Sequence, residues 1–180
     1  MPSSIIKKGI TLFLIIYILL IGFTIPKIEE VKEKNASFPI HTSSIIKKEE
    51  TIGKLIIPKI NLEQNLYPID SEENTIEKHV TILKDSIFPE EDNSIMILAA
   101  HSGTAGVAYF EHLDELKTND EIYLTYNKKD YIYKVIEIWE EEKTGFIHIN
   151  KEKEKQLILT TCSPKKDGYQ LVINCIKKES

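Results

Sequence analysis

A lone thiol, Cys162, closes the apolar run Leu157-Ile158-Leu159-Thr160-Thr161 and stands just before the Ser163-Pro164 turn, where a sheet would display a nucleophile. A second run, Ile95-Met96-Ile97-Leu98-Ala99-Ala100, ends in the same manner and delivers His101 into Ser102-Gly103. Thiolate, not thiol, attacks carbonyls, and a free cysteine with a pKa near ~8.5 is mostly protonated at neutral pH. An imidazole within reach can accept that proton and later protonate a leaving amine. One thiol and one imidazole at two strand ends are the minimum equipment for Cys/His acyl transfer.

The competing reading of Cys162 is a small buried apolar residue. The four remaining histidines compete with His101. His41 falls in a charged stalk, His112 beside Glu111 in a helical segment, and His148 in the long Glu140 to Lys155 connection, all positions that suit solvated side chains. His79 opens a strand-like stretch and suits a structural or supporting role. Only His101 follows a buried run directly and precedes a glycine-containing loop, the kind of rigid mounting on which functional residues sit.

The elements that must hold these residues can be read from the pattern. Ile52 to Ile57, Leu62 to Pro68, Ile95 to Ala100, Glu121 to Tyr126, Tyr131 to Trp139, Gln156 to Thr161 and Leu171 to Ile176 are short β-branched runs between turn signals. Asn127-Lys128-Lys129-Asp130 reads as a tight hairpin. Ser71 to Ile76 begins as a capped helical turn would, and Tyr109 to Leu116 carries apolar residues at a helical spacing. About eight short strands with few, short helices predict a mainly β fold, a closed or nearly closed barrel in one domain spanning 51–180.

Two segments precede that domain. Ile10 to Ile25 is apolar apart from Thr11, Tyr17, Gly22 and Thr24, with Lys7 and Lys8 before it and Pro26-Lys27 after. As a helix it reaches about 24 Å, and snorkelling lysines can close the gap to a ~30 Å hydrocarbon core. The bulky Phe23-Thr24-Ile25-Pro26 offers no small-residue cleavage site, so residues 1–26 read as an uncleaved anchor, one transmembrane helix, in preference to a signal peptide. The lysines on its N-terminal side place the domain outside the cell. Residues 27–50 are charged, broken by Pro39, and read as a stalk.

The formal net charge is −5, more negative still once Lys7 and Lys8 are set aside, which argues against a nucleic-acid partner. Cys162 and Cys175 are too few for a disulfide framework and are not spaced as CxxC.

Leu159-Thr160-Thr161-Cys162 and Ala100-His101-Ser102-Gly103 together resemble the two motifs that mark the sortase family. Gly53-Lys54-Leu55-Ile56-Ile57-Pro58-Lys59-Ile60 is similar to the family's first strand, and Phe110-x-x-Leu113-x-x-Leu116 with Asn119-Asp120-Glu121-Ile122 resembles the segment after its histidine. The resemblance covers about Thr51 to Ile176. It implies a sortase-like eight-stranded β-barrel and a membrane-anchored cysteine transpeptidase on the outer face of a Gram-positive-type cell. Its partners would be surface proteins bearing a Leu-Pro-x-Thr-Gly-like sorting signal, cleaved through a thioester on Cys162, and an amine acceptor from peptidoglycan precursor or a pilin. His101 would be the general acid/base. A hydrolytic cysteine peptidase and a non-catalytic or impaired surface-binding module are the alternatives.

One departure stands out. The family carries an arginine before the strand that follows the nucleophile, and the matching position here is Gln170, in a chain without arginine. Gln170 in the arginine's place, Lys165 or Lys166 swinging in from the preceding loop, and impaired catalysis are the three possibilities. If Leu171 to Ile176 is one strand, Gln170, Val172 and Asn174 share a face and Cys175 points the other way, which disfavours a Cys162–Cys175 disulfide. No cofactor is expected. Glu140-Glu141-Glu142 lies where some sortases bind calcium, but three adjacent glutamates are more commonly a solvated face. Tyr109, Phe110 and Trp139 read as core or groove-lining aromatics.

Overall fold

The computed structural model describes residues 50–103, 106–150 and 155–179. The expected anchor and most of the stalk, with His41, lie outside the described residues. Among the described residues no helix is long and apolar enough to cross a membrane.

Eight strands form one sheet: β1 (Gly53–Ile57), β2 (Leu62–Leu66), β3 (Thr81–Ile82), β4 (Ile95–Ala99), β5 (Glu121–Tyr126), β6 (Lys129–Glu142), β7 (Gln156–Cys162) and β8 (Tyr169–Lys177). Their order is β2-β1-β5-β6-β8-β7-β4-β3, a sheet curled into a nearly closed barrel whose two ends, β2 and β3, are not paired to each other. All neighbouring pairs are antiparallel except β4 and β7, which run parallel.

Turn chemistry sets the registers. Asn127 and Lys128 both adopt left-handed backbone (φ 47° and 64°) and close the two-residue hairpin that pairs Tyr126 with Lys129. A type I′ turn of this kind matches the twist of its flanking strands. Gly53 is required for a different reason: a Cβ there would sit 2.2 Å from the Thr125 carbonyl oxygen. The two-residue β3 is fixed by Asn74, whose Oδ1 accepts from the Ile82 N–H (2.8 Å) while its Nδ2 donates to the Ile82 carbonyl (3.0 Å).

Alternation along the strands divides the apolar residues between two clusters. Leu55, Ile57, Met96, Leu98, Tyr133, Leu159, Leu171, Ile173 and Cys175 fill the barrel interior with Phe110 and Leu113. Ile95, Ile97, Ile158 and Val172 form a smaller cluster on the opposite face, joined by Trp139, Ile147 and Ile149.

Two expected helices take other forms. Tyr109 to Leu116 contains only a single 3-10 turn, Leu113–Glu115. Phe110, Leu113 and Leu116 owe their spacing to a loop that plugs the barrel, not to a helix lying on it. Ser71 to Ile76 is a series of turns in which Ser71 Oγ accepts from the Glu73 N–H (2.9 Å). At this length a helix has little cooperative support.

Candidate active site

The parallel pairing of β4 and β7 sets Ala99 opposite Thr160. Two residues further on, His101 and Cys162 leave the same edge of the sheet side by side. The junction is tied by three bonds: the Ala100 N–H to the Thr160 carbonyl (3.4 Å), Thr161 Oγ1 to the Ala100 carbonyl (2.8 Å), and Ser102 Oγ to the Cys162 carbonyl (3.0 Å). The His101 carbonyl accepts from the Phe110 N–H (3.0 Å), so the loop behind the histidine is pinned to a buried aromatic. Cys162 is exposed and His101 half-buried.

On the other side of Cys162, β8 and β6 contribute. Cys162 pairs with Gln170, and Gln170 with Glu141, so the three side chains lie in one row across three strands. Gln170 Nε2 donates to Glu141 Oε1 (3.0 Å) and to the Phe146 carbonyl (2.7 Å). An amide NH₂ has two protons, and both are used. Burial by itself would raise the Glu141 carboxyl. Hydrogen bonds from the His148 ring and backbone, from Gln170 and from Trp139 outweigh it and hold the group below the usual carboxylate range.

The other histidines and the two loop lysines have partners of their own. His148 Nδ1 pairs with Glu141 (2.8 Å), His112 Nδ1 with Glu115 (3.1 Å), and His79 Nε2 with Glu73 (3.2 Å). Lys166 Nζ lies over the Tyr169 ring, 3.3 Å from its centroid, and the Lys165 backbone donates to Ser163 Oγ. The three adjacent glutamates do not converge: Glu141 faces Gln170 and His148, whereas Glu140 accepts from Ser163 Oγ (2.6 Å) and Glu142 from Tyr169 OH (3.3 Å). Phe110 is core, while Trp139 packs with the outer cluster. Cys162 and Cys175 are both free, and Cys175 is wholly buried, its thiol pushed far up by desolvation.

Two neighbours were not singled out in the sequence. Lys143 Nζ donates to Cys162 Sγ at 3.2 Å. Glu77 is held below the ordinary carboxylate range by Thr75, by its own backbone N–H and, more weakly, by the charge of His101.

The sortase-domain family model matches residues 55–176. This chain belongs to the sortase family. It is 32% identical over 135 residues to Sortase D of Bacillus subtilis, covering 73% of this chain and 65% of that protein. Sortase A of Bacillus anthracis is 25% identical over 121 residues, covering 67% and 56%. The chain thus matches less than two thirds of the length of either curated sortase. Among solved structures, sortase C of Streptococcus pneumoniae is 25% identical with a TM-score of 0.64, covering 76% of this chain and 73% of that one. Sortase C1 of Streptococcus agalactiae is 27% identical with a TM-score of 0.63, covering 75% and 71%. The mainly β, eight-stranded, nearly closed barrel is the sortase architecture.

Proposed function

We propose that this protein is a membrane-anchored cysteine transpeptidase that cleaves a Leu-Pro-x-Thr-Gly-like sorting signal near the C-terminus of surface proteins and transfers the acyl group to an amine of the cell wall or a pilin. The observation that carries this reading is the parallel β4–β7 register, which brings His101 and Cys162 out side by side from adjacent strand ends.

The chemistry suits that pair. The Cys162 thiolate attacks the scissile carbonyl carbon, and the charge moves from sulfur to the carbonyl oxygen. Collapse breaks the C–N bond as the His101 imidazolium gives its proton to the leaving amine, leaving a thioester. An incoming amine then loses its proton to His101, forms a new amide and releases the thiolate. The catalyst returns to its starting state without any co-reactant. Residues 1–26 serve as the anchor and 27–50 as the stalk, with 51–180 as the catalytic domain on the outer face of the membrane.

Full-length protein incubated with a sorting-signal peptide, with and without an amine acceptor, tests this by mass spectrometry. Ligated product that is lost in Cys162→Ala and His101→Ala is the expected result. Hydrolysis alone, unaffected by added amine, would indicate a peptidase, and no turnover or Cys162 adduct would indicate a binding module.

A further inference from the structure

We infer that Lys143 is a catalytic residue: its ammonium group supplies the positive charge at the Cys162 sulfur that this arginine-free chain does not provide from the family's usual position. The inference rests on the transpeptidase reading above. Its geometry is the 3.2 Å approach of Nζ to Sγ.

A structural device brings Lys143 there. In β6, Tyr131, Tyr133 and Val135 point into the barrel, and plain alternation would send Glu137, Trp139, Glu141 and Lys143 inward as well. The β6–β8 register instead steps from Val135↔Cys175 to Glu137↔Asn174, so one residue is inserted and the following odd-numbered side chains are turned to the outer face. β-Bulges re-aim side chains in this manner. Past the end of β6 the Lys143 N–H still donates to the Gly168 carbonyl (2.8 Å), which keeps the backbone in line with the row Glu141, Gln170, Cys162. The extended lysine then reaches across β8 to the sulfur.

The other donors on that face are engaged elsewhere. Gln170 spends both amide protons on Glu141 and Phe146, and Lys166 lies on Tyr169. Lys143 gives and takes no proton in this scheme: it faces the thiolate before attack and is next to the carbon that sulfur attacks. His101 alone moves protons. The charged groups on the elements that flank the sulfur are His101 at the β4 end, Glu141 in β6 with Lys143 just past it, and Lys165, Lys166 and Asp167 in the β7–β8 turn.

The test measures the alkylation rate of Cys162 by iodoacetamide between pH 5 and 10, read by mass spectrometry on the full chain, together with sorting-peptide cleavage. Lys143→Ala and Lys143→Gln are expected to slow alkylation at pH 7 by about tenfold, the scale set by one nearby opposite charge. Lys143→Arg is expected to keep the parental profile. Parental alkylation and cleavage in Lys143→Gln, with an unchanged thermal melt, would overturn the assignment. If the parent cleaves no sorting peptide but Lys143→Gln still displaces the alkylation profile, the transpeptidase reading fails while the role of Lys143 at the thiolate stands.

Discussion

Replacing Gln170 by alanine separates two roles that this position could have. The side chain donates to a carboxylate, Glu141 near the end of β6, and to the backbone carbonyl of Phe146 in the connection that follows. A hydrogen bond to a charged group contributes about 1.5–3 kcal/mol and a neutral one about 1 kcal/mol. Phe146 is 76% exposed, so water can replace part of the second bond. Gln170→Ala should therefore cost about 2–3 kcal/mol, or a fall in Tm of roughly 5–12 °C for a domain of this size. Lys143 keeps its own backbone bond to Gly168 in the variant, and His101 and Cys162 keep the ties between β4 and β7. Sorting-peptide cleavage, assayed well below both melting temperatures, should stay within about threefold of the parent. An amide acting on the oxyanion would behave differently, since loss of such a donor costs on the order of 10² to 10³ in rate. A parental Tm with cleavage reduced a hundredfold would refute the structural role argued here.

Two further outcomes follow from the same row of residues. The Glu141 carboxyl titrates lower in the folded chain than in the unfolded one, so its stabilisation is fully present above the unfolded value and is lost as pH falls through the folded one. Glu141→Gln should melt below the parent at pH 7, and the gap should close in acid; a gap that stays constant from pH 7 to pH 2.5 would contradict this. Thiol titration under native conditions should find one reactive group, Cys162, and two after denaturation, because Cys175 is wholly buried with its thiol pushed far up. Two fast thiols in the native protein, or none, would contradict the placement of these residues on opposite faces.

What was legible in the sequence, and what was not, follows the range of the interactions. The runs ending at Ala100 and Thr161 are apolar, β-branched and buried on both faces, so composition alone marks them as strands, and both histidine and thiol emerge where those runs stop. The parity of β8 was equally readable: Leu171, Ile173 and Cys175 do line the interior, while Val172 joins the outer cluster. Phe110, Leu113 and Leu116 mimicked a helix because three apolar anchors of a loop happen to fall at spacings of three. β3 is too short to carry a pattern of its own and exists because Asn74 and β4 hold it.

Lys143 was missed for a reason of the same physical kind, and it decides how this site differs from an arginine-bearing one. The stretch from Tyr131 onward reads as a strand that ends at Trp139, since Glu140-Glu141-Glu142 has no apolar face to announce that the ladder continues to Glu142. Those three glutamates are in strand because β8 offers partners, with Glu142 paired to Tyr169. Even with the correct end, alternation counted from Tyr131 would aim Lys143 into the barrel. Only the inserted residue between Val135 and Glu137 reverses the count, and a bulge in a strand of ordinary composition leaves no mark that a single sequence can show. The positive charge and the bulge are therefore one arrangement: were Ile136 to take a regular place in the ladder, with no residue left over, Glu141 and Lys143 would fall on the inner face. The thiolate would then have lost its cation while the sequence around His101 and Cys162 remained intact.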